Sequence, residues 1–296
     1  MPEESVKHLN WMKTRTLGAY AVLWKVFQEI KTLTSEYQVV ISVELRIMPT
    51  REELLVELYR DIPKLGPGST ETTRSVYSML QLPEEPTILD VGCATGMSSI
   101  ELAKLSGGRV IAFDINEVYL DILKERAKKE GVAERIQTSK GSIHHMDFKE
   151  NTLDVIWAEN IVFVLGLERA LSEWKRFLKS RGYLVISILV RRSNNAPEDA
   201  SAYWESVYPG LGTHETVLRI IEQQGYRFIN SLSIPDSDTM KNCYLPLERQ
   251  ISRLREKYSS NGEFMDWLNL NQREIDIVRK YGSEYYVFTF YTMQIG

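Results

Sequence analysis

The sequence has few cysteines, few histidines and no segment that reads as a secretory signal. Its 296 residues include two cysteines, Cys93 and Cys243, and four histidines. The two cysteines lie far apart and without the spacing of metal ligands, so no metal site is predicted. With no apolar signal segment before a cleavage-like site, the sequence favours a reduced, cytoplasmic setting.

Long apolar runs and an excess of one charge are also missing. The longest apolar stretches, such as Tyr183–Val190, have the length of a strand and are far too short for a membrane span, so no membrane partner is expected. The net charge is −4, and lysines and arginines are interspersed with acidic residues, which predicts no nucleic-acid partner. A content of 43% apolar residues indicates an ordinary globular chain of one large or two small domains.

The most informative stretch, from residue 88 to residue 103, reads Ile-Leu-Asp-Val-Gly-Cys-Ala-Thr-Gly-Met-Ser-Ser-Ile-Glu-Leu-Ala. It begins like a strand, turns at two glycines and continues with helical spacing. Gly92 and Gly96 can adopt positive φ and let a ligand approach the main chain, and the following helix would direct unpaired N–H groups at it. This pattern indicates a cradle for a nucleotide-like ligand.

The spacing of the glycines narrows the choice of ligand. A dinucleotide fingerprint needs glycines where Ala94 and Met97 stand, and a P-loop needs a Gly-Lys-Ser/Thr that is missing. Asp90 followed by Gly-x-x-x-Gly resembles motif I of the class I S-adenosylmethionine-dependent methyltransferases, with Ala94 in place of the usual middle glycine. An ordinary strand–turn–helix remains the alternative for this stretch taken alone.

A second strand-like run, Arg109–Asp114, also ends in a carboxylate. In a right-handed βαβ unit this strand lies beside the first, so Asp114 is expected at the same edge as the glycine turn. The resemblance gives Asp114 the role of accepting both ribose hydroxyl protons. NAD-binding folds use an acidic residue in the same way, so Asp114 alone does not separate the two families.

The family resemblance implies a set of contacts to S-adenosyl-L-methionine. Many members have an aspartate that binds the adenine amino group where this chain has Ser142, which leaves the main chain of Ile143 to reach the ring. The implied cofactor-binding residues are Asp90, Gly92, Cys93, Ala94, Thr95, Gly96, Met97, Asp114, Ile115, Ser142, Ile143 and Glu159.

Candidate catalytic residues follow from the fourth strand, which ends in Trp-Ala-Glu-Asn. Glu159 and Asn160 are expected to face the sulfonium and the incoming substrate at the carboxyl edge of the sheet. The Asn/Asp-Pro-Pro-Tyr/Phe motif of enzymes that methylate bases or glutamine is missing, so methylation of that kind is not expected. His144 and His145 lie on the neighbouring loop, as a general base or as ordinary surface residues.

Candidate substrate-binding residues come from two segments. The Pro/Gly-rich loop before the first strand offers Gly68 and Ser69 as pocket residues, or Ser69 as a helix cap. After the fifth strand, Tyr203, Trp204 and Tyr208 either close over the substrate or pack on the sheet. We expect them to act with residues 234–283, an insertion that reads as a cap.

Strands alternating with helices predict an α/β, doubly wound, Rossmann-like sheet of the seven-strand class I methyltransferase type. The seventh strand would run antiparallel between the fifth and sixth, with the helical insertion between the last two strands. Among the element bounds, we expect a helix over Leu167–Leu178 and strands over Arg135–Thr138 and Tyr183–Val190. Residues 49–296 would form the methyltransferase domain.

Residues 1–48 read as an N-terminal helix–strand extension. A helix is predicted for residues 17–30 and a strand for Val39–Met48, which has no evident partner in a seven-strand sheet. Because a lone strand edge exposes unpaired backbone groups, we expect it to pair with a second copy, giving a homodimer, or to cover an edge of its own sheet.

From Tyr59 to the C-terminus the chain resembles bacterial and archaeal small-molecule-type methyltransferases. The resemblance implies S-adenosylmethionine-dependent transfer of a methyl group to a small-molecule acceptor that the sequence does not identify. One rival is an NAD(P)-dependent oxidoreductase on the same opening βαβ unit. Another is a catalytically silent methyltransferase-like partner protein.

Overall fold

The computed structural model describes residues 50–296. The N-terminal helix and strand predicted from the sequence lie outside the described residues, so the extension and its role in a dimer stay predictions. Residues 55–296 form one compact unit.

A seven-stranded sheet organises this unit, with strand order β3-β2-β1-β4-β5-β7-β6. Neighbouring strands among the first five are parallel, and β7 runs antiparallel to both β5 and β6. This is the predicted doubly wound sheet with a reversed last strand. The strands are β1 (Thr87–Val91), β2 (Arg109–Asp114), β3 (Ile136–Lys140), β4 (Leu153–Glu159), β5 (Leu178–Arg191), β6 (Tyr226–Ser233) and β7 (Tyr286–Ile295).

Helices cover both faces of the sheet. Those that pack on the face carrying Trp157 and Phe290 include α3, α6 and α10, and those on the face carrying Ile156 and Tyr291 include α5 and α7. The helices are α1 (Arg51–Tyr59), α2 (Thr70–Tyr77), α3 (Met97–Ser106), α4 (Glu117–Lys129), α5 (Leu167–Trp174), α6 (Glu198–Val207), α7 (His214–Gln223), α8 (Asp236–Thr239), α9 (Leu245–Lys257) and α10 (Gly262–Tyr281).

The strand register brings three carboxylates to one edge. Asp90 is paired with Ala112 of β2 and with Trp157 of β4, so the ends of these strands are level. Asp114 ends β2 and Glu159 ends β4. Because parallel strands present their carboxyl ends on the same side, all three side chains belong to the ligand-binding edge of the sheet.

Two predicted boundaries are wrong around β5. Helix α5 ends at Trp174 rather than Leu178, and β5 begins at Leu178, ahead of the predicted Tyr183. Leu178 pairs with Leu153 of β4, and Arg181 takes a φ of +64° before the regular pairing resumes. Strand β5 therefore includes the polar Ser-Arg-Gly sequence, which by itself predicts the end of a helix. Strand β3 is also displaced, since Arg135 ends a short 3₁₀ turn and pairing runs from Ile136 to Lys140.

The predicted insertion lies between β6 and β7. It contains α8, a π-helical segment over Met240–Tyr244, and the longer helices α9 and α10. The π segment carries Cys243 and Tyr244, both buried. Within residues 50–296, every helix is too short or too polar to cross a membrane.

Candidate functional site

A left-handed turn joins β1 to α3. Gly92, Ala94 and Gly96 have φ values of +68°, +47° and +88°. The N–H groups of Gly92 and Cys93 donate to the carbonyl oxygen of Phe113 at 2.8 and 3.1 Å, which fixes the turn against β2. Ala94 adopts a conformation that glycine takes more readily, and such strain concentrates at ligand-binding turns.

A pocket opens above this turn. It is bounded by the turn itself, by the start of α3, by the end of β4 and by the loop before α2. The lining residues are Lys64, Leu65, Gly66, Asp90, Gly92, Cys93, Ala94, Thr95, Gly96, Met97, Ser98, Glu159 and Asn160. The structure thus gathers the residues predicted from motif I with Glu159 and Asn160, and adds a lysine that the sequence analysis did not single out.

A buried ion pair lies across the pocket. Lys64 Nζ is 2.5 Å from Glu159 Oε2, and the two side chains are only 7% and 8% exposed. Lys64 also donates to Ser98 Oγ at 2.9 Å. The other carboxylate oxygen of Glu159 accepts from Ser98 Oγ and from Trp157 Nε1, each at 2.7 Å. Both oxygens of the Glu159 carboxylate are therefore hydrogen-bonded inside the protein.

Asp90 lies beneath the turn and is 2% exposed. Its Oδ2 accepts from Ser99 Oγ at 2.5 Å. Burial raises the pKa of Asp90 to about 7, the Ser99 hydrogen bond opposes the shift, and the charge of Glu159 adds to it. The carboxyl group therefore titrates near neutrality, so its charge in the folded protein depends on pH.

Asp114 holds the turn from the end of β2. It accepts from the N–H of Ala94 at 3.0 Å and from the N–H of Asn116 at 2.8 Å. Burial raises the pKa of the Asp114 carboxyl, and these backbone donors act in the opposite direction. Each oxygen keeps capacity for a further hydrogen bond. Its role towards a ribose stays a prediction.

Arg126 of α4 connects the loop that carries Lys64 to the turn. Its Nη1 donates to Thr95 Oγ1 at 2.8 Å, and its Nη2 donates to the carbonyl oxygens of Arg60 and Ile62 at 2.7 and 2.9 Å. Partial burial lowers the pKa of the guanidinium. One side chain thereby fixes the approach of the Lys64 loop to the glycine turn.

Asn160 follows β4 with a φ of +53°. Its backbone N–H donates to the carbonyl oxygen of Ser187 at 3.1 Å, and its Nδ2 donates to that of Pro67 at 3.3 Å. The amide oxygen Oδ1 is buried and has no hydrogen-bond partner in the described part of the chain. Burying an acceptor without a hydrogen bond costs free energy. A donor from outside the described residues, such as a bound ligand, would remove this cost.

The predicted pocket residues of the preceding loop have structural roles. Ser69 caps α2 by accepting from the N–H of Thr72 at 3.0 Å, and it donates to Asp238 Oδ2 at 2.5 Å. Gly68 has a φ of +119°, and its carbonyl oxygen accepts from Asn242 at 3.3 Å. The loop is therefore tied to the insertion, and the interpretation of Ser69 as a cap fits the contacts better than a ligand role.

The three aromatic residues of α6 and its end pack together, with the ring of Trp204 5.0 Å from that of Tyr203 and 5.8 Å from that of Tyr208. Trp204 is 3% exposed and packs on Phe288 and Tyr286, with ring centroids 6.1 and 6.3 Å apart. Tyr203 is buried and donates to Glu274 Oε2 at 2.9 Å. Tyr208 is half-buried. The face that carries Trp204 packs on the sheet, as the alternative interpretation required.

His144 and His145 do not lie in this pocket. Both are exposed and line a separate hollow with Trp174 and Arg176. The reason is a local turn in which the N–H of His145 donates to the carbonyl oxygen of Ser142 at 2.9 Å. The geometry gives no support to either histidine as a base acting beside Glu159.

The residues predicted to contact adenine also lie off the pocket described above. Ser142 accepts from the N–H of His144 at 3.3 Å, Ile143 packs partly into the core, and Ile115 is 68% exposed beyond Asp114. Their contact to a base stays a prediction.

Residues 88–182 match the family model described as a methyltransferase domain. This stretch of the chain carries a methyltransferase domain. The seven-strand sheet with a reversed last strand agrees with that assignment.

Individual relatives of the methyltransferase domain are distant. Methyltransferase GfsG of Streptomyces halstedii is 26% identical over 132 residues, 44% of this chain and 48% of that protein. The chain spans about half the length of the curated relatives it matches.

Two solved structures show the fold. An S-adenosylmethionine-dependent methyltransferase from Geobacter sulfurreducens, in complex with S-adenosyl-L-homocysteine, has a TM-score of 0.73 at 15% identity, covering 84% of this chain and 99% of its own. Geranyl diphosphate C-methyltransferase from Streptomyces coelicolor has a TM-score of 0.56 at 16% identity, covering 77% and 78%. None of these matches favours the oxidoreductase alternative.

Proposed function

We propose that this chain is an S-adenosylmethionine-dependent methyltransferase that transfers the sulfonium methyl group to a small-molecule acceptor. The observation that carries the proposal is the buried pair of Lys64 and Glu159 above the glycine turn. When bound, S-adenosylmethionine supplies an electrophilic methyl group, and the chain has to hold and orient it.

The charges of the pocket fit the methionine part of this cofactor. That part is a zwitterion, with one carboxylate and one ammonium group. Lys64 would exchange the carboxylate of Glu159 for that of the cofactor. Glu159 would exchange the ammonium group of Lys64 for that of the cofactor. The desolvation of a buried ion pair costs about as much free energy as the attraction of its charges returns. The pair therefore adds little to the stability of the fold, which favours a role in binding a ligand.

Two further groups fit the same cofactor. The unsatisfied Oδ1 of Asn160 offers an acceptor to an N–H donor at the pocket wall. Asp114 retains capacity to accept from ribose hydroxyls at the end of β2. Gly92 and Ala94 of the turn line the same pocket.

Catalysis would rest on alignment and exclusion of water. Among the described residues that line the pocket there is no histidine, and Glu159 is engaged by Lys64, Ser98 and Trp157. Fixed dipoles and charges that hold the donor in line with the acceptor account for most of the rate in such a displacement. No separate general base is needed when the acceptor atom carries no proton to remove.

A small-molecule acceptor is supported by two observations. One neighbour of the same fold is by name a geranyl diphosphate methyltransferase, so the fold accommodates small acceptors. The net charge of −4 argues against a sequence-independent grip on nucleic acid. A cytoplasmic location and a homodimer through residues 1–48 are further proposals, the second testable by light scattering before and after deletion of those residues.

Calorimetric titration tests the proposal. S-adenosylmethionine and S-adenosylhomocysteine should bind, whereas NAD(H) and NADP(H) should not. Binding of a nicotinamide cofactor alone would overturn the proposal in favour of the oxidoreductase. Tight binding of S-adenosylmethionine without turnover on any acceptor would favour the silent partner protein.

A further inference from the structure

A single arginine binds the main chain of the loop that carries Lys64. This loop follows the end of α1, where carbonyl oxygens have no partner within the helix. Nη2 of Arg126 donates to the carbonyl oxygens of Arg60 and Ile62 at 2.7 and 2.9 Å. Nη1 of the same side chain donates to the carbonyl oxygen of Pro63 at 3.3 Å. Because the guanidinium is planar and rigid, it fixes the three carbonyl groups relative to one another.

The same guanidinium also binds the glycine turn. Nη1 of Arg126 donates to Thr95 Oγ1 at 2.8 Å and to the carbonyl oxygen of Thr95 at 3.3 Å. Thr95 is 1% exposed and lines the cofactor pocket beside Gly96. Arg126 therefore connects two walls of the pocket, the Lys64 loop and the turn, and sets the distance between them.

The contact to Pro63 acts directly on Lys64. The carbonyl group of Pro63 and the N–H group of Lys64 belong to one planar peptide unit. Arg126 binds the carbonyl side of this unit, and the N–H on the other side donates to the carbonyl oxygen of Asn242 at 3.3 Å. The unit is thus held from both sides, which fixes the point where the Lys64 side chain begins. From there the ammonium group reaches Glu159 across the pocket at 2.5 Å.

Arg126 makes these contacts through its shape rather than by pairing with an opposite charge. Each of its five acceptors is a carbonyl or hydroxyl oxygen, and within residues 50–296 it forms no salt bridge. A lysine at this position would have the same charge but only one ammonium group, which cannot bind the loop and the turn together. The Arg126→Lys substitution therefore removes the connection and keeps the charge.

We propose that Arg126 is a positioning residue for the amino-acid end of the cofactor. Through the peptide unit of Pro63 and Lys64, it places the Lys64 ammonium group where a ligand carboxylate would bind. This inference rests on the proposed function and assigns a further residue to it. The alternative is that Arg126 only fastens α4 to the loop. Its loss would then weaken the binding of every part of a ligand equally, or of none.

Two ligands that differ in one part separate these accounts. S-adenosylhomocysteine carries the amino-acid end, whereas 5′-methylthioadenosine keeps the adenosine thioether and lacks that end. Each would be titrated by calorimetry into the full chain and into Arg126→Lys. We expect the variant to bind S-adenosylhomocysteine at least about tenfold more weakly, and 5′-methylthioadenosine within about twofold of the unmodified chain. Equal losses for both ligands, or no loss for either, would overturn the inference.

A second substitution shows whether Arg126 acts through Lys64. In the Lys64→Met background the ammonium group is gone, so adding Arg126→Lys should lower the affinity for S-adenosylhomocysteine by less than about twofold. An equal loss in both backgrounds would contradict the assignment. Arg135→Lys is the matched control, because Arg135 donates to a carbonyl oxygen outside the pocket, that of Ala103 at 3.4 Å. The control should keep the affinity for both ligands.

Hydrogen exchange gives a readout that needs no ligand. The N–H of Lys64 should exchange at least about tenfold faster in Arg126→Lys, because its peptide unit is held from one side only, while the N–H groups of β2 keep their rates. Unchanged exchange at Lys64 would contradict the role of Arg126 in the loop. Failure of the unmodified chain to bind either ligand would instead contradict the proposed function, and the exchange rates would still test Arg126.

Discussion

Lys64 Nζ lies 2.5 Å from Glu159 Oε2, although the two residues are 95 positions apart in the chain. Lys64 comes from the loop between α1 and α2, and Glu159 from the end of β4. The pair therefore bridges the cofactor pocket from opposite walls. Its positive and negative charges complement the carboxylate and the ammonium group of an amino-acid zwitterion.

Replacing Lys64 should lower both the affinity for the cofactor and the stability of the fold. Lys64→Met should lower the affinity for S-adenosylmethionine by about ten- to a hundredfold, because the cofactor carboxylate loses a charge-assisted contact worth roughly 1.5–3 kcal/mol. It should also lower the free energy of unfolding by up to about 3–5 kcal/mol, since Glu159 stays buried without its partner. Calorimetry and urea unfolding measure the two effects.

The double variant Lys64→Met/Glu159→Gln should regain much of the stability but none of the affinity. Lys104→Met is the matched control, because Lys104 pairs with Glu130 on the surface and its replacement should change neither quantity measurably. Unchanged cofactor affinity in Lys64→Met would remove Lys64 from the site.

Asp90 should make stability depend on pH. Its pKa is about 7 in the folded protein and ordinarily 3.8, mainly because the group is buried. Between these values the folded protein binds more protons than the unfolded chain, so the free energy of unfolding falls as pH rises, by no more than about 4 kcal/mol. Asp90→Asn should therefore raise the Tm relative to the unmodified chain more at about pH 8 than at about pH 5. Equal differences at both pH values would contradict this; Asp121→Asn, on the surface, is the control.

Two glycines at the ends of α3 provide a matched pair. Gly96 has a φ of +88°, and a Cβ there would lie 2.3 Å from Leu123 Cγ. Gly107 has a φ of +64°, and a Cβ there would meet no atom within 4 Å. Gly96→Ala should thus lower the Tm and cofactor affinity strongly, whereas Gly107→Ala should cost only about 1 kcal/mol of backbone strain. Similar losses in both variants would show that packing at the turn is unimportant.

Sequence patterns predicted the centre of the sheet because β1, β2 and β4 are mainly apolar runs. The same logic placed Asp90, Asp114 and Glu159 at one edge, since parallel strands end together. It did not find Lys64, because a single lysine in a Pro/Gly-rich loop gives no sign of a partner far along the chain. Its position between Pro63 and Leu65, in an apolar context, was the available signal.

Other residues were missed for similar reasons. Arg126 sits where basic residues commonly end a helix, so its contacts to Arg60 and Ile62 were not visible in the pattern. The early start of β5 depends on pairing with β4, which overrides the local preference of Lys179 and Ser180. In the sequence, Glu274 has the pattern of an ordinary surface residue of a helix. The hydrogen bonds from Tyr203 and Tyr244 arise only in the folded chain.

Replacing Trp204 tests whether α6 packs on the sheet or closes over a substrate. Because Trp204 is 3% exposed and packs on Phe288, Trp204→Ala should lower the free energy of unfolding by about 3–5 kcal/mol. Cofactor affinity in the folded fraction should stay within about twofold of that of the unmodified chain. Trp204→Phe, which keeps most of the apolar volume, should lose less. Normal stability with impaired methyl transfer would restore the earlier interpretation of Trp204 as part of a lid.

The most direct test of the central claim is calorimetric titration of S-adenosylmethionine into the unmodified chain and into Asp114→Ala. Asp114 lies at the end of β2 and holds Ala94 of the glycine turn at 3.0 Å. The account predicts binding by the unmodified chain and a loss of about ten- to a hundredfold in the variant, or roughly 1.5–3 kcal/mol, from the contacts of its carboxylate. Equal affinity in the two proteins, or no binding in either, would contradict it.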